Sequence, residues 1–578
     1  MIWYFNDQAR HKAEREAIEA LAASVDWVQP KGWRFDKQFK RAFDFVIVAA
    51  GQAFSLSLQY PNSFPNSPPS VFPADGTARL SSHQYGPGGE LCLEYRADNW
   101  TPDIMGYQLI ESAFRLLSAE VPGPRENGAV VSAHRTTLGQ DFRNEIRRLV
   151  ILPLVQEKIF TLPLGQATTG RAILLRRDIS NVYVLDTIES NGQPIKDPNV
   201  PDSLSAEGSD LTVALQQLRE EDSFPSETSK ADFLKACTEI GLPKDAELYV
   251  IAKDKCLKAF RVFDDTVVVV AALSLTHPQQ RLSADHAGLA DKKVGIIGCG
   301  SLGSKTAVSL ARSGVGHFIL VDDDLMLPDN LVRHELDWRD IGLNKADAIS
   351  SKIKRVNINA EVRTRRTKIG GQETAHYADD VLFSLGQCNL VVDATANPIV
   401  QNVLSGILAA DKTTLIWGEV FAGGIGGLIA RCRPGKEPAL PWMRRQIENW
   451  FAEKAAEPVR GSIDYGQSET VAPMTADDTD VSVISSILTR MALDFLLDRD
   501  PSHFQYSAYA IGLAPASVFE QALDIRPIKF ESFAEDDVAT VKLSTEDAAA
   551  ETALIIADIM KLADEVTHQQ KDDELPQE

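Results

Sequence analysis

Hydrophobic and polar positions follow different periods in different stretches of the chain. Residues 7–24 carry apolar positions at helical spacing among good helix formers, which predicts an N-terminal helix. Next come short β-patterned runs, WRFDKQF (33–39), AFDFVIVAA (42–50) and AFSLSLQY (53–60), separated by small or polar breaks. They predict an antiparallel meander. The prolines of YPNSFPNSPPSVFP (60–73) exclude a central strand or helix interior, so this stretch is expected to be an ordered, extended loop. MGYQLIESAFRLLSAE (105–120) predicts an amphipathic helix, and VPGPRENG (121–128) a domain boundary.

Residues 134–288 are less informative. NEIRRLVILPLVQEKIF (144–160) reads as a helix, and AILLRR and NVYVLDTI as strands. NGQPIKDPNVPDSLSAEGSD (191–210) reads as a long loop, and ELYVIAK, LKAFRVF and TVVVVAAL as further strands. From Lys292 the pattern changes to strand and helix in alternation: KVGIIG, LGSKTAVSLARSG, HFILVD, KADAISSKIKRVN and NLVVDAT, followed by TLIWGEV and GGLIARC. That order predicts a mostly parallel sheet. The tail KDDELPQE is expected to be disordered.

Length and composition narrow the function. The chain has 578 residues, enough for several domains, with 44% hydrophobic and 24% charged residues, as in soluble globular proteins. A formal net charge of -22 argues against nucleic acid as the main partner. The six cysteines, Cys92, Cys237, Cys256, Cys299, Cys388 and Cys432, are scattered without a C-x-x-C pair. That fits neither a disulfide framework nor a zinc site, and a reducing cytoplasm is the expected compartment. The N-terminal stretch does not read as a signal peptide, and no run of about 18 apolar residues predicts a membrane span.

Two constellations carry chemistry. Gly298-Cys299-Gly300-Ser301-Leu302-Gly303 lies between a predicted strand and helix, where glycines let a phosphate approach backbone N–H groups. Asp322-Asp323-Asp324 ends the next strand, the place for a ribose-binding carboxylate. These residues alone do not separate a dinucleotide dehydrogenase from an ATP enzyme. Nucleotidyl transfer needs cations on the phosphates and a carboxylate for a metal ion. Arg333 and Lys345 are candidates for the first, and Asp393, at a predicted strand end, for the second.

Read together, GCGSLG, DDD, NLVRH (330–334), NKA (344–346) and DATAN (393–397) resemble the adenylating domain of ubiquitin-activating enzymes and bacterial sulfur-carrier activators, the ThiF/MoeB-like superfamily, over about 285–530. By that resemblance Gly298, Gly300 and Gly303 shape the ATP site and Asp322 or Asp324 contacts ribose. Asn330 and Arg333 hold phosphate, Lys345 stabilises developing charge, and Asp393 binds Mg²⁺. Two positions depart from the family pattern: His334 replaces a Gln and Ala396 an Asp.

The second constellation is the proline-rich segment, then His83, Gly89-Glu90-Leu91-Cys92-Leu93, Asn99-Trp100-Thr101-Pro102 and a helix. A cysteine acts as nucleophile only where its sulfur is accessible. The pattern resembles a ubiquitin-conjugating enzyme over residues 1–120, which implies that Cys92 carries a thioester. The family's His-Pro-Asn motif is replaced by His83-Gln84-Tyr85, so His83 remains a candidate and the usual Asn is missing. Activating enzymes also carry their own cysteine in a later loop. No cysteine occurs in 433–500, which leaves Cys432, direct transfer to Cys92, or a loop cysteine outside this sequence.

The expected fold is multidomain, α/β and α+β: a conjugating-enzyme-like α+β domain followed by a Rossmann-like, mostly parallel adenylating domain. The expected boundaries are 1–125 conjugating-like, 126–288 linker or degenerate adenylating-like, 289–533 adenylating, and 534–578 an acidic C-terminal segment. The domain order resembles the bacterial activating–conjugating fusions of antiphage defence operons, including CBASS. That resemblance implies ATP and Mg²⁺ as cofactors. It implies as partners a protein with an activatable C-terminus (a ubiquitin-like protein or a cyclic-dinucleotide synthase) and an amine acceptor, with a homodimer through the adenylating domain. No nucleic-acid or membrane partner is expected. The competing readings are a sulfur-carrier-protein adenylyltransferase, a non-catalytic nucleotide-binding scaffold and, least favoured, a dehydrogenase.

Overall fold

Period-two burial organises the first part of the chain. In the strand Arg41–Ala49, Phe43, Phe45, Ile47 and Ala49 face inward while the residues between them are only half-buried. The computed structural model describes residues 2–49, 51–81, 83–85, 88–120, 139, 142, 143, 145–190, 192–225, 229–254, 256–274, 282–371, 375–454, 476–531 and 544–573. They form two compact units, Met1–Glu145 and Ile146–Glu578.

In the first unit, α1 (Trp3–Asn6) and α2 (Gln8–Ser24) precede β1 (Val28–Phe35), β2 (Arg41–Ala49), β3 (Gln52–Gln59) and β4 (Ser70–Pro73). The strands form an antiparallel sheet in chain order, the expected meander, and α3 (Gly106–Glu120) closes the unit. Asp7 caps α2 by accepting from the Arg10 N–H at 2.8 Å. The fully buried Glu14 joins three elements. Its carboxylate accepts from Tyr60 Oη and from the Gly106 N–H, each at 2.8 Å, and pairs with Arg10. A Cβ at Gly106 would lie 2.2 Å from Tyr60 Oη, so only glycine lets α3 start against this carboxylate.

The second unit begins with β5 (Arg147–Ile151), α4 (Pro153–Phe160), β6 (Ala167–Arg177), β7 (Ser180–Ser190), β8 (Gln193–Lys196), α5 (Ser203–Glu207) and β9 (Ser209–Gln217). It continues with α6 (Lys230–Glu239), β10 (Leu248–Lys253), β11 (Cys256–Val262) and β12 (Val267–Ser274). The strands form one sheet, β5-β12-β11-β10-β9-β6-β7-β8, and β5 also pairs with β7, so the sheet closes on itself into a barrel. Leu149, Leu185, Leu215, Val250 and Ala259 belong to one buried cluster of this barrel. Two expectations are corrected here. Residues 144–160 are not one helix, because Leu149 and Ile151 are buried in β5 and Pro153 starts α4. Residues 191–210 are not one long loop, because β8 extends β7 and α5 follows.

The rest of the unit alternates as the pattern predicts: β13 (Lys293–Ile297), α7 (Ser301–Arg312), β14 (His317–Val321), α8 (Lys345–Val356), β15 (Glu361–Arg365), α9 (Ala375–Gly386), β16 (Leu390–Asp393), α10 (Pro398–Asp411) and β17 (Thr414–Val420). Then come β18 (Gly426–Cys432), α11 (Leu440–Glu453), α12 (Asp478–Leu496), β19 (Ala508–Gly512) and β20 (Ile525–Ile528). The sheet order is β15-β14-β13-β16-β17-β18-β19-β20. The first five are parallel, a Rossmann-type half, and the last three extend it antiparallel. Buried clusters cover both faces of this sheet, as a parallel sheet requires. Lys571–Asp573 of the acidic tail close a final helix, α13 (Thr545–Asp573), while 574–578 lie outside the described residues. Among the described residues, no helix is long and apolar enough to cross a membrane.

Candidate active site

The strand order reverses between β13 and β16, because the chain leaves β13 towards β14 on one side and returns to β16 on the other. Such a switch point leaves a crevice at the carboxyl ends of the strands. Ile297 and Asp393 are paired there. The glycine turn sits on the crevice and each glycine has its own reason. Gly298 has φ +81°, and its missing Cβ would lie 2.9 Å from Thr395 Cγ2. A Cβ on Gly303 would lie 1.8 Å from the Gly298 carbonyl oxygen, so helix and turn touch through backbone alone. Gly300 faces open space and is the N-cap of α7 with no side chain capping it. The first-turn N–H groups of α7 are therefore left to an outside acceptor.

The acidic run after β14 divides its work. Asp322 Oδ2 accepts from the Cys299 N–H at 2.6 Å and Oδ1 from the Asp324 N–H at 2.8 Å, so this carboxylate ties the glycine turn to β14. Burial pushes its pKa up against those hydrogen bonds. Asp324 forms an ion pair with Lys345, the first residue of α8, whose side chain is buried. Burial opposes the Asp324 charge most strongly, but the hydrogen bonds from Lys345 and the Leu325 N–H together with the Lys345 and Lys368 charges outweigh it, and the pKa is lowered.

Asn330 Oδ1 accepts from the Leu327 N–H at 2.9 Å and so holds its own turn. Arg333 is half-buried on the same loop. His334 Nδ1 accepts from the Leu336 N–H at 3.2 Å, which leaves Nε2 to donate to the Cys299 carbonyl at 2.8 Å. Burial lowers its pKa to about 4, so it stays neutral. A neutral imidazole offers one donor and one acceptor, as an amide does, which explains how it serves where the resemblance has Gln.

Asp393 is fully buried at the end of β16. Its Oδ1 accepts from the Thr395 N–H at 2.9 Å and from Thr395 Oγ1 at 2.6 Å, while Oδ2 has no hydrogen-bond partner among the described residues. Burial pushes the carboxyl up, opposed by Thr395 and then by the nearby Gln401 and Arg444. Gln401 acts on the charge without completing a hydrogen bond to Oδ2. Ala396 holds φ +52°, a left-handed conformation that costs a non-glycine residue about 1 kcal/mol. A cleft beside this turn is lined by Gln401, Trp417, Glu419, Leu428 and Arg444.

Cys92 lies in the first unit, on a loop after β4. Leu91 and Leu93 are buried at 4% and 3%, and the alternation leaves Cys92 half-exposed between them. The Cys92 N–H donates to the His83 carbonyl at 2.7 Å, and the Leu91 N–H to the Val71 carbonyl at 2.8 Å. Gln84 is buried and organises the turn. Its Nε2 donates to the Ala78 carbonyl at 2.9 Å and the Gly89 carbonyl at 3.1 Å, and its Oε1 accepts from the Leu80 N–H at 2.7 Å. Trp100 Nε1 donates to the Pro65 carbonyl at 2.7 Å, joining the tryptophan segment to the proline-rich one.

Cys432 is placed differently. It is buried in β18, its Sγ donates to the Pro438 carbonyl at 3.6 Å, and burial pushes the thiol up to about 12. Cys299 is also fully buried, with its thiol pushed up by burial. Both are packed as core residues.

The structure thus gathers Gly298, Gly300, Gly303, Asp322, Asp324, Lys345 and Asp393 around one strand-end crevice, with the loop of Asn330, Arg333 and His334 tied to its glycine turn through His334. Cys92 and His83 meet in the other unit. Sequence reasoning did not single out Thr395, Gln401, Arg444, Gln84 as a turn organiser, or Arg96, whose Nη1 lies 3.3 Å from Cys92 Sγ. The positions of Thr395 and Gln401, beside a motif and on the following helix, carried a signal. Arg96 carried none.

The ThiF family model matches residues 279–512. The protein y4oA of Sinorhizobium fredii is 32% identical over 158 residues, 25% of this chain and 26% of that protein. The ATP-dependent ubiquitin transferase-like protein Cap2 of Pseudomonas aeruginosa is 30% identical over 131 residues, 22% of each chain. The protein y4qC of Sinorhizobium fredii is 31% identical over 232 residues, 37% of this chain and 38% of that one. These matches span 22% to 38% of the relatives' length. Among solved structures, Escherichia coli MccB with ATP aligns at 18% identity over 43% of this chain and 67% of that one, with a TM-score of 0.33. The C-terminal part of the chain, residues 279–512, is a ThiF-family domain.

Proposed function

We propose that this protein uses ATP to adenylate the C-terminal carboxylate of a protein partner, carries the acyl group as a thioester on Cys92 and transfers it to an amine. The observation that carries the first step is the switch-point crevice. It presents an α7 N-terminus that no side chain among the described residues caps, beside the fully buried Asp393, whose Oδ2 has no partner among them. In this reading the helix N-terminus and Gly300 receive the phosphates, Asp322 or Asp324 meets the ribose, and Asn330 and Arg333 bind phosphate. Lys345 is held by Asp324 until the charge on the α-phosphate draws it.

The donor set fits Mg²⁺, since an oxygen ligand such as Asp393 Oδ2 is what that ion takes from protein. Mg²⁺ would neutralise charge on the phosphates. The acyl-adenylate then meets a thiolate. Cys92 serves because it is half-exposed, whereas Cys432 is buried with its thiol pushed up to about 12, which favours direct delivery to Cys92. The domain boundaries at about 125, 288 and 533, the homodimer, the cytoplasmic setting and a role in antiphage defence belong to this proposal. They rest on the sequence resemblance and on relatives named Cap2. A ubiquitin-like protein or a cyclic-dinucleotide synthase is the proposed substrate.

Incubation with ATP, Mg²⁺ and candidate proteins from the same operon, followed by reducing and non-reducing gels, tests this. The expected product is a reducible adduct that Cys92→Ala and Asp393→Ala abolish and Cys432→Ala leaves intact. An adduct that survives Cys92→Ala would overturn the thioester assignment.

A further inference from the structure

We propose that Arg96 is a catalytic residue of the sulfur chemistry at Cys92, donating a hydrogen bond to the sulfur as negative charge builds on it. The inference rests on reading Cys92 as the acyl carrier and adds the group that serves it.

Arg96 Nη1 already lies 3.3 Å from Cys92 Sγ, within reach of a charge-assisted hydrogen bond to sulfur. Arg96 is held there at its backbone and at its guanidinium. Its backbone N–H donates to Asn99 Oδ1 at 2.8 Å, and Asn99 Nδ2 in turn donates to the Glu94 carbonyl at 2.6 Å. Its Cζ sits 5.5 Å from the centre of the Tyr85 ring, a cation–π contact, and Arg143 lies 5.8 Å from the same ring. Tyr85 is fixed in turn by its N–H to the Glu90 carbonyl at 3.1 Å. Burial pushes the Tyr85 phenol up, so the ring stays neutral and leaves the arginine charge uncancelled. Asp98 also acts on the guanidinium, after Tyr85 and Cys92.

The chemistry needs such a donor twice. On loading, the Cys92 thiol gives its proton to water and the sulfur lone pair forms a bond to the acyl carbon. The bond from that carbon to the adenylate oxygen breaks, and the electron pair leaves with AMP. On discharge, the amine nitrogen bonds to the same carbon, the C–S bond breaks with its electron pair remaining on Sγ, and the ammonium proton goes to water. In both steps the sulfur bears negative charge beside Nη1. The guanidinium keeps its protons throughout, so it acts as a donor and not as an acid or base.

The test uses the full chain and two probes that bypass the adenylating step. Iodoacetamide labelling of Cys92 is followed by peptide mass spectrometry, and acyl transfer to Cys92 is followed from a glycine-ending peptide thioester of mercaptoethanesulfonate. Arg96→Gln is expected to slow both reactions at Cys92 by ~10-fold or more, as loss of a hydrogen bond to a charged group would. Arg96→Lys, which keeps the charge, is expected to recover part of that loss. The exposed Cys256 serves as internal control, with an unchanged labelling rate. Wild-type rates at Cys92 in a folded Arg96→Gln protein would overturn the proposal, as would an equal loss in Arg96→Lys and Arg96→Gln. Slowed probes in Arg96→Gln, together with no ATP-dependent adduct on the wild-type protein, would sink the carrier reading of Cys92 and leave the Arg96–sulfur assignment standing.

Discussion

The switch-point crevice and the Cys92 loop solve the problem of positioning reactive atoms in opposite ways. At the crevice most of the motif serves the backbone. Gly298 and Gly303 permit contact, Asp322 ties a turn, and His334 replaces an amide. The side chains left for chemistry are few and buried, Lys345 at 6% exposure and Asp393 at 0%. At the Cys92 loop the sulfur is half-exposed and the cation beside it comes from the same loop, four residues on. A site on strand ends inherits the rigidity of a sheet, whereas a loop site must assemble its own support, here from Gln84, Tyr85 and Asn99.

The largest expected effect tests whether the two sites are separate stages. Asp393→Asn keeps an acceptor for Thr395 and removes the charge. It is expected to lower ATP–pyrophosphate exchange by ~10³-fold, the scale of losing a metal-binding carboxylate or an electrostatic donor in nucleotidyl transfer. Cys92→Ala is expected to retain exchange while losing the reducible adduct. Loss of exchange in Cys92→Ala would break the comparison, because the sulfur would then belong to the first stage. The raised pKa of Asp393 gives this a pH sign: protonation competes with metal, so the Mg²⁺ requirement should rise on acidification at a higher pH than for an ordinary aspartate.

A second contrast lies within the glycine turn. Gly303→Ala places a Cβ 1.8 Å from a backbone oxygen and is expected to destabilise the fold by ~3 kcal/mol or more in a thermal melt. Gly300→Ala meets nothing within 4 Å and has φ -71°, so the melting temperature should hold. Its KM for ATP is expected to rise ~10-fold, because only an approaching phosphate would meet the new methyl. An unchanged KM would show that no ligand approaches this turn.

His334 gives a smaller effect. Its pKa of about 4 lies below the unfolded value of 6.5, so the unfolded chain binds more protons between those limits. Stability is then full above pH 6.5 and is lost as pH falls towards 4, by up to ~3 kcal/mol. His334→Gln is expected to keep the turn and flatten that loss in denaturant midpoints measured against pH.

These contrasts also explain what could be read without coordinates. Repeating strand–helix units announce parallel pairing, so β13 to β17 and the crevice at Asp393 were legible. The antiparallel β18–β20 were not, since β18 turns straight back on β17 and β20 on β19 with no α-helix between, and β19 is placed only by where α11 and α12 return the chain. The barrel was hidden for a similar reason. β5 pairs with both β7 and β12, and no local pattern reports a partner more than a hundred residues away. RRLVI in β5 was read as helix because a short apolar run next to a helix former has no distinct period. The half-exposed turn at Cys92 followed from its flanks, whereas Arg96 reaches the sulfur only through the path of one loop, and nothing in EYRADN marks which side chain turns back to it.

The smallest expected effect concerns the barrel's hold on the crevice. Glu207, which ends α5, pairs with Arg177 of β6 at 3.1 Å and with Arg355 of α8 at 2.8 Å. Since α8 begins at Lys345, this pair anchors the far end of the helix that presents the lysine proposed to act on the phosphates. Burial opposes the Glu207 charge, but hydrogen bonds from Arg177 and Arg355 outweigh it and the net pKa is lowered, so the contribution is present at neutral pH and lost on acidification below the ordinary glutamate range. Both partners remain about a quarter exposed, which limits the coupling to ~1 kcal/mol. A double-mutant cycle with Glu207→Gln and Arg355→Gln should return that value in stability and change pyrophosphate exchange by less than ~3-fold. A larger loss of exchange than of stability would mean that the barrel sets the position of Lys345, and the crevice would then share the dependence on assembled side-chain support seen at the Cys92 loop.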